Sequence, residues 1–425
     1  MSRAPRFRDR ARAFAIVVGA FVAVCSNGHA EAATCGGAKL ISGATMTPDP
    51  PPLAKPAKGV ELDEPNFHTC LRRVTDHAAE GIEGYSRSDY SRREPYNADG
   101  SLFFTNAHNG AWYLYDAKTL KNLGVLKTLH GDAEPQWDPK SPTTLYYGER
   151  NGGLVISAVD VKSGATRVVI DLHGKLPWKN AARAWTKSEG SPSRDARYWG
   201  FQVETDDFKI LGFAIWDVKQ NKLTGTIDTK DRPDHVSMSP SGRWLVASGS
   251  SVIAYSRDFK TQRQVAKHGE HSDIAVCANG HDCYASIDYD SNEGWIYFFD
   301  IDTGTRTDLL RTYFNSAAAA MHFSGKAFDK PGWVLISTYK PGGPKQWYFD
   351  KIFAMELEAD PRIYQLGNHR SNGRESYAAE PQAVVNHDFT RILFDSNWDA
   401  TTDQKKPGGQ DVDAYEIRLP KNAFP

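Results

Sequence analysis

One short phrase of sequence recurs seven times, and that recurrence commits the chain to a repeat architecture. In its last copy, Tyr377-Ala-Ala-Glu380-Pro-Gln382 leads into a short apolar run, a turn at 386–390 and a second apolar run beginning at Arg391. A polar lead, a strand, a tight turn and a second strand is the pattern of a β-hairpin. The earlier copies start at Arg93, Ala133, Glu189, Asp234, His271 and His322. Turn-to-turn spacing runs from about 39 to about 57 residues, the range of propeller blades with uneven outer loops. All copies but one are followed by a further run ending in an acid, as at Asp116, Asp160, Asp217 and Asp300, and then by a Lys- or Gly-containing turn into a fourth run. Four antiparallel strands per repeat, radially arranged, limit exposed sheet edges. The expectation is therefore all-β: a seven-bladed β-propeller of four-stranded antiparallel blades over residues 91–425.

The residues ahead of the repeats read differently. Arg3, Arg6, Arg8, Arg10 and Arg12 precede an apolar run over 13–24, and Ala30-Glu-Ala32 is a small-x-small cleavage pattern. Residues 1–32 thus read as a cleaved signal peptide, and the mature chain is expected in the periplasm or secreted. The apolar run is too short to span a bilayer, and no transmembrane segment is expected in the mature chain. Residues 33–90 are expected to form a Pro-rich strap, centred on 46–66, followed by a segment that closes the ring beside the last blade. Cys35, Cys70, Cys277 and Cys283 form an even set in an exported chain. Cys277 and Cys283 flank one hairpin turn and should bridge it, leaving Cys35 to staple the N-terminal segment to Cys70. Without residues 1–32 the chain carries 46 basic and 50 acidic groups. A near-neutral balance with no basic run argues against nucleic acid as a partner and against an electrostatic membrane clamp.

Chemistry is expected where the innermost strands begin, because a propeller brings the residues just before them to one mouth of a central channel. Those residues are Arg93, Glu94, Glu134, Gln136, Glu189, Asp234, His235, His271, Asp273, His322, Glu380 and Gln382. Three histidines, several carboxylates and an arginine at one end of a channel form the strongest site signal in the chain. Asp and His at strand ends also cap backbone groups and tie neighbouring blades, so each of these residues has a structural use as well. Asp99, Asp195 and Asp388 read as turn residues, and His387 shares the last of these turns.

The turn Ser239-Pro-Ser-Gly-Arg-Trp-Leu-Val resembles the Ser-Pro-Asp-Gly-Lys/Arg signature of TolB-like and WD40-like exported propellers. More narrowly, the lead of the last repeat resembles that of oligogalacturonate lyases, seven-bladed propellers with a His-Pro-His metal motif ahead of this turn. Here that motif falls on Glu380-Pro381-Gln382. Oxygen donors replace imidazoles, and the same tripeptide recurs as Glu134-Pro-Gln136. The resemblance implies a divalent cation, manganese or calcium, held by His271, Glu380 and Gln382, with His322 second to His271 as the imidazole ligand. It also implies β-elimination from a uronic acid, which needs the carboxylate neutralised, a base at the C5 proton and a donor for the departing oxygen. Arg93 or the cation would neutralise the carboxylate, His235 or His322 would be the base, and Tyr90 or Tyr377 would protonate the leaving group. Trp137 and Trp185 would stack on sugar faces, with Glu134, Glu189 and Tyr377 completing the substrate contacts.

No GxSxG, Walker A, HExxH or CxxC pattern occurs, which removes the common local signatures of serine hydrolase, nucleotide, zinc-peptidase and dithiol sites. A glycosidase, using two of Glu134, Glu189, Asp234 and Glu380, is the lesser enzymatic alternative. The competing class is a non-catalytic exported propeller that binds an envelope protein partner or a glycan. The partner is accordingly an acidic polysaccharide or oligosaccharide, or an envelope protein.

Overall fold

The computed structural model describes residues 40–269, 271–373, 376–398 and 411–423. The expected signal peptide and Cys35 lie outside the described residues. Apart from one 3₁₀ turn at Tyr377–Ala379, every element in the described residues is a strand. The strands form seven four-stranded antiparallel units, most visible as separate sheets. In chain order the innermost strands are Tyr85–Arg87, Gln136–Trp137, Arg183–Trp185, His235–Met238, Ser272–Val276, Ala318–Ser324 and Val384–Val385. We number the blades 1 to 7 by these strands. The first and last units share one nine-stranded sheet, joined by a short parallel bridge between Val412–Asp413 and Tyr85–Ser86.

Period-two alternation places successive side chains on opposite faces of each blade, and both faces are covered by a neighbour. Leu102 and Phe104 pack toward blade 2 with Leu145 and Val159, whereas Phe103 between them packs toward blade 7 with Val384 and Leu393. Seven apolar clusters result, one for each adjacent pair of blades, including blade 7 against blade 1. The ring is therefore closed by packing all the way round, the arrangement expected of a seven-bladed propeller.

The closure is also made by sequence-distant strands. Cys70–Arg73 pairs antiparallel with Val412–Arg418 as the fourth strand of blade 7, and Glu61–Asp63 adds a further strand outside it. Arg72 Nε donates to Glu416 Oε2 at 2.6 Å, and its Nη2 reaches the Ala117 carbonyl at 3.0 Å, so one buried side chain joins the N-terminal strand, blade 7 and blade 1. Ile41–Ser42 lies on the outer edge of blade 6. The innermost strand of blade 1 begins at Tyr85, ahead of the expected start at 91. Cys277 and Cys283 face each other across their hairpin with Cα atoms 5.5 Å apart.

Candidate functional site

The site is organised by a break in the innermost strand of blade 1. Ser86 and Arg87 pair with Ala107 and Asn106 at one end of the ladder, and Tyr96 bridges to Phe103 at the other. Residues 88–95 leave the ladder between them, and most of this loop is buried. Ser88 fixes one side by donating its N–H (2.8 Å) and hydroxyl (2.9 Å) to Asp395 of blade 7. Arg93 fixes the other: Nε donates to Asp89 at 2.6 Å, Nη1 to the Pro135 carbonyl at 3.1 Å, and Nη2 to the Ser188 carbonyl. Arg92 reaches across the axis, donating from Nε to the Ser272 carbonyl of blade 5 and from Nη1 to Glu189 at the head of blade 3. The same Nη1 is 3.3 Å from His235 Nδ1 of blade 4. The middle of the ring is thus filled by a folded loop rather than an open bore.

Beside this loop lies a stack of aromatic rings. His322, on the innermost strand of blade 6, is 0% exposed and sits between His271 (centroids 4.6 Å apart, 20° between planes) and Tyr339 (4.5 Å, 9°). Tyr90 meets it edge-on at 5.5 Å and 78°. Among the described residues neither nitrogen of His322 has a hydrogen-bond partner; the nearest carboxylate oxygen is Glu380 Oε2, 3.5 Å from Nε2. Glu380 Oε1 accepts from Lys340 Nζ at 2.5 Å. His271 Nδ1 is 3.3 Å from the Tyr339 hydroxyl. His271, Tyr339 and Lys340 also line an open cleft of about 300 Å³, so this edge of the stack meets solvent.

Burial sets the protonation states. Desolvation first, and the Arg92 charge second, push His235 and His271 down to about 4. His322 is held well below the usual imidazole range by burial, with His271 as the next cause. All three imidazoles are therefore neutral near pH 7. Burial also raises the carboxyls of Glu189 and Glu380, opposed by Arg92 and Lys340 respectively, and raises the phenols of Tyr90 and Tyr339. The result is a site with fixed cations, neutral bases and protonated phenols.

His271, Glu380 and Gln382 do not assemble as the expected ligand set. Gln382 Oε1 accepts from Arg87 Nη1 at 2.7 Å, on a backbone at φ +39°, and Glu380 is paired with Lys340. Among the described residues, carboxylate and imidazole atoms that could hold a metal gather in three other places: Glu189/Asp234/His235, His77/Asp411/Asp413 and His281/Asp300/Asp302. Each already holds a cation of the protein, respectively Arg92, Arg73 with Lys55, and Arg243. A guanidinium occupying the donor atoms of the axial group does not leave it fitted for a resident divalent ion.

The remaining expected residues divide. Tyr90, Glu189, His235, His271, His322 and Glu380 belong to one connected arrangement around Arg92 and the ring stack. Arg93 lies in the same loop, but its guanidinium is spent on protein acceptors and so is not placed to neutralise a substrate. Glu134 accepts the N–H groups of Thr186 (3.0 Å) and Ser188, and thereby caps the loop before Glu189. Trp185 is buried, with the Phe208 ring centre 6.3 Å from its own, donates to Glu204 at 3.1 Å and offers no face to a sugar. Trp137 donates to the Pro95 carbonyl at 2.7 Å and faces the opposite mouth, in a cavity of about 610 Å³ that also contains the turn residues Asp99, Asp195 and Asp388. Tyr377 is 56% exposed beside Arg87, whose guanidinium lies 5.6 Å from its ring centre. Sequence reasoning missed Arg92, Tyr339 and Lys340. Arg92 was adjacent to a chosen residue, and Tyr339 and Lys340 lie toward the end of the long second strand of blade 6, Trp333–Gly342, where no repeat motif points.

No family model matches the chain, and no curated protein matches it in sequence. Its fold is similar to that of solved structures. One is an oligogalacturonate lyase from Vibrio parahaemolyticus, with TM-score 0.60 and 11% identity, covering 86% of this chain and 97% of that one. Another is an oligogalacturonate lyase in complex with manganese, with TM-score 0.57 and 14% identity, covering 85% and 96%. At these identities the likeness is one of fold, and it extends across nearly the whole propeller of each neighbour.

Proposed function

We propose that this propeller is an exported lyase that cleaves uronate-containing acidic glycans by β-elimination. The observation that carries the reading is the neutral His271 at the mouth of the cleft, with the Tyr339 hydroxyl and the Lys340 ammonium on the same wall. Lys340, whose side chain stays 43% exposed beside Glu380, supplies positive charge for the substrate carboxylate, which acidifies the C5 proton by stabilising the enolate. His271 accepts that proton. The C5–H electron pair becomes the C4=C5 double bond, the C4–O bond breaks, and the departing oxygen takes a proton from water or from the exposed Tyr377 hydroxyl. His322, fully buried, acts behind His271 as a stacking and positioning group, which moves the base assignment from His235 or His322 to His271. Because a divalent cation, manganese or calcium, does not fit the axial residues, no step is routed through one.

A second reading has its own support: the loop 88–95 fills the ring, and the carboxylates Glu189, Glu380 and Asp395 already have protein cations. A rigid, internally neutralised propeller of this kind suits a non-catalytic glycan-binding module or envelope scaffold. The test is to incubate the mature protein with polygalacturonate and other acidic polysaccharides and to follow the ultraviolet absorbance of unsaturated uronate ends. The lyase reading expects such product and its loss in His271→Ala. Binding without product on any substrate favours the binding module, and product formation that survives His271→Ala overturns the assigned base.

A further inference from the structure

Beside the axial cleft the structure carries a second cavity, of about 460 Å³, walled by the N-terminal strap at Thr47–Pro50, by blade 6 and by the segment that follows it. The strap is held in place by Gln365, whose amide donates to the carbonyls of Gly43 (3.1 Å) and Thr45 (2.8 Å). Four cationic side chains line the cavity, Lys340, Lys345, Lys351 and Arg370, against the acids Asp49 and Asp350. This is a concentrated positive wall in a chain whose formal charge is −1.

Lys351 is the unusual member. It is 5% exposed, and its ammonium donates only to neutral oxygens, Thr47 Oγ1 at 2.5 Å and Gln365 Oε1 at 3.0 Å. No carboxylate among the described residues lies within ion-pair distance of it, whereas Lys345 is matched by Asp49 and Lys340 by Glu380. A buried ammonium without a counter-charge is costly and uncommon, because burial strips its hydration without replacing it. An ammonium has three donors, so one remains for a further acceptor. Burial and the neighbouring Lys345 push this lysine down to about 8, which an arriving anion would reverse.

Lys340 lines both this cavity and the cleft that contains His271 and Tyr339. Lys340 is therefore a wall shared by the cleft and the cavity that Lys351 lines. We propose that the cavity between the strap and blade 6 is an anion subsite, in which Lys351 and Lys345 bind a second carboxylate of the same acidic glycan chain. The identity of the anion rests on the lyase reading above; the counter-charge argument does not.

The test is calorimetric titration of the mature protein with tetragalacturonate, with galacturonate monomer and with acetate, in wild type, Lys351→Met and Lys345→Ala. Wild type is expected to bind the tetramer, Lys351→Met to bind it at least tenfold more weakly, and Lys345→Ala several-fold more weakly. Monomer and acetate should change little between variants, since the gain comes from engaging both sites with one chain. Lys351→Met should melt no lower than wild type, because it removes an uncompensated buried charge; a structural lysine would instead give a lower melting temperature. Tetramer affinity unchanged within twofold in both variants overturns the proposal, as does failure of wild type to bind the tetramer. Acetate binding as tight as the tetramer, lost in Lys351→Met, also overturns it by marking a free-anion site. Tetramer binding that depends on Lys351 without any unsaturated product keeps the subsite and removes the lyase reading. Product formation with an unaltered KM in Lys351→Met does the reverse.

Discussion

Replacing His322 by phenylalanine should make the protein more stable near neutral pH. In the native ring stack both imidazole nitrogens of His322 are buried without a hydrogen-bond partner among the described residues, and each unsatisfied group costs about 1–3 kcal/mol. Phenylalanine retains the two face-to-face contacts with His271 and Tyr339, and its larger ring costs about 1 kcal/mol in overpacking. The balance predicts a gain of about 1–5 kcal/mol near neutral pH. The pH dependence is sharper. The folded imidazole is held well below its usual value, so as pH falls through about 6.5 the unfolded chain takes up a proton that the folded chain refuses, and wild type loses stability. By about pH 5 that linkage amounts to about 2 kcal/mol for one histidine. His271 and His235, which carry the same sign, and Asp395, which burial raises to about 7 and which therefore works in the opposite direction, are present in both proteins and largely cancel in the comparison. Urea unfolding of wild type and His322→Phe at about pH 7.5 and about pH 5 should show the advantage of the variant widening by about 2 kcal/mol on acidification. A variant less stable than wild type at neutral pH, or a gap that does not grow with acid, would falsify the assignment of His322 as an unpartnered neutral imidazole.

Arg92→Ala should open the Glu189/Asp234/His235 group to a divalent ion: manganese should raise the melting temperature of the variant and leave wild type unmoved, and a shift in wild type would show that the arginine does not exclude metal. Arg72→Ala removes the nearer cation of Glu416 at the ring closure, leaving it the Tyr96 hydroxyl at 2.8 Å and Arg391 at 3.9 Å, and should cost about 1.5–3 kcal/mol in denaturant melts; a loss under about 1 kcal/mol would mean the strand Cys70–Arg73 closes the ring by backbone pairing alone. Changing Cys277 and Cys283 together to serine opens a loop with a sequence separation of 6 and should lower stability by about 2 kcal/mol, while an identical melt for oxidised wild type and the double variant would show the bridge to be idle. Gly190→Ala would place a Cβ 1.9 Å from the Val236 carbonyl oxygen, so a loss of about 2 kcal/mol or more is expected, together with displacement of Glu189 from Arg92. Unchanged stability there would mean the blade 3–4 seam is looser than its geometry implies.

The repeat could be read from sequence because hairpin chemistry is local: a polar lead, alternating apolar residues and a turn with Asp, Asn or Gly report themselves within about a dozen residues. Glu189, His235, His271, His322 and Glu380 each stand 6 to 8 residues ahead of such a turn, and the ring then brings them together. Trp185 was misread because the offset does not say which face of the strand a side chain takes, and its buried indole lies against Phe208 and donates to Glu204. Trp137 fell one position further along the strand and belongs to the other mouth. The loop 88–95 was illegible for a different reason: Ser-Asp-Tyr-Ser-Arg-Arg is a plausible lead or a plausible turn, and only the pairing of Ser86 and Tyr96 to opposite ends of one strand shows that it leaves the ladder.

Side-chain cations explain why the expected metal ligands do not gather as a set. Gathering carboxylates and imidazoles at one axis raises the cost of every buried charge, and the cost is met by opposite charge in the same volume, whether from an ion or from a side chain. Here side chains supply it: Arg92 reaches Glu189, Arg87 reaches Asp395 and Lys340 reaches Glu380. Guanidinium groups stay charged at any pH at which the protein folds, so the positive field at the axis does not depend on ion supply. The same field depresses the neighbouring imidazoles, with Arg92 the next cause after burial at both His235 and His271. One arginine, delivered by a break in a single strand, therefore both pairs with Glu189 among the donors and adds to burial in holding His235 and His271 unprotonated near neutral pH.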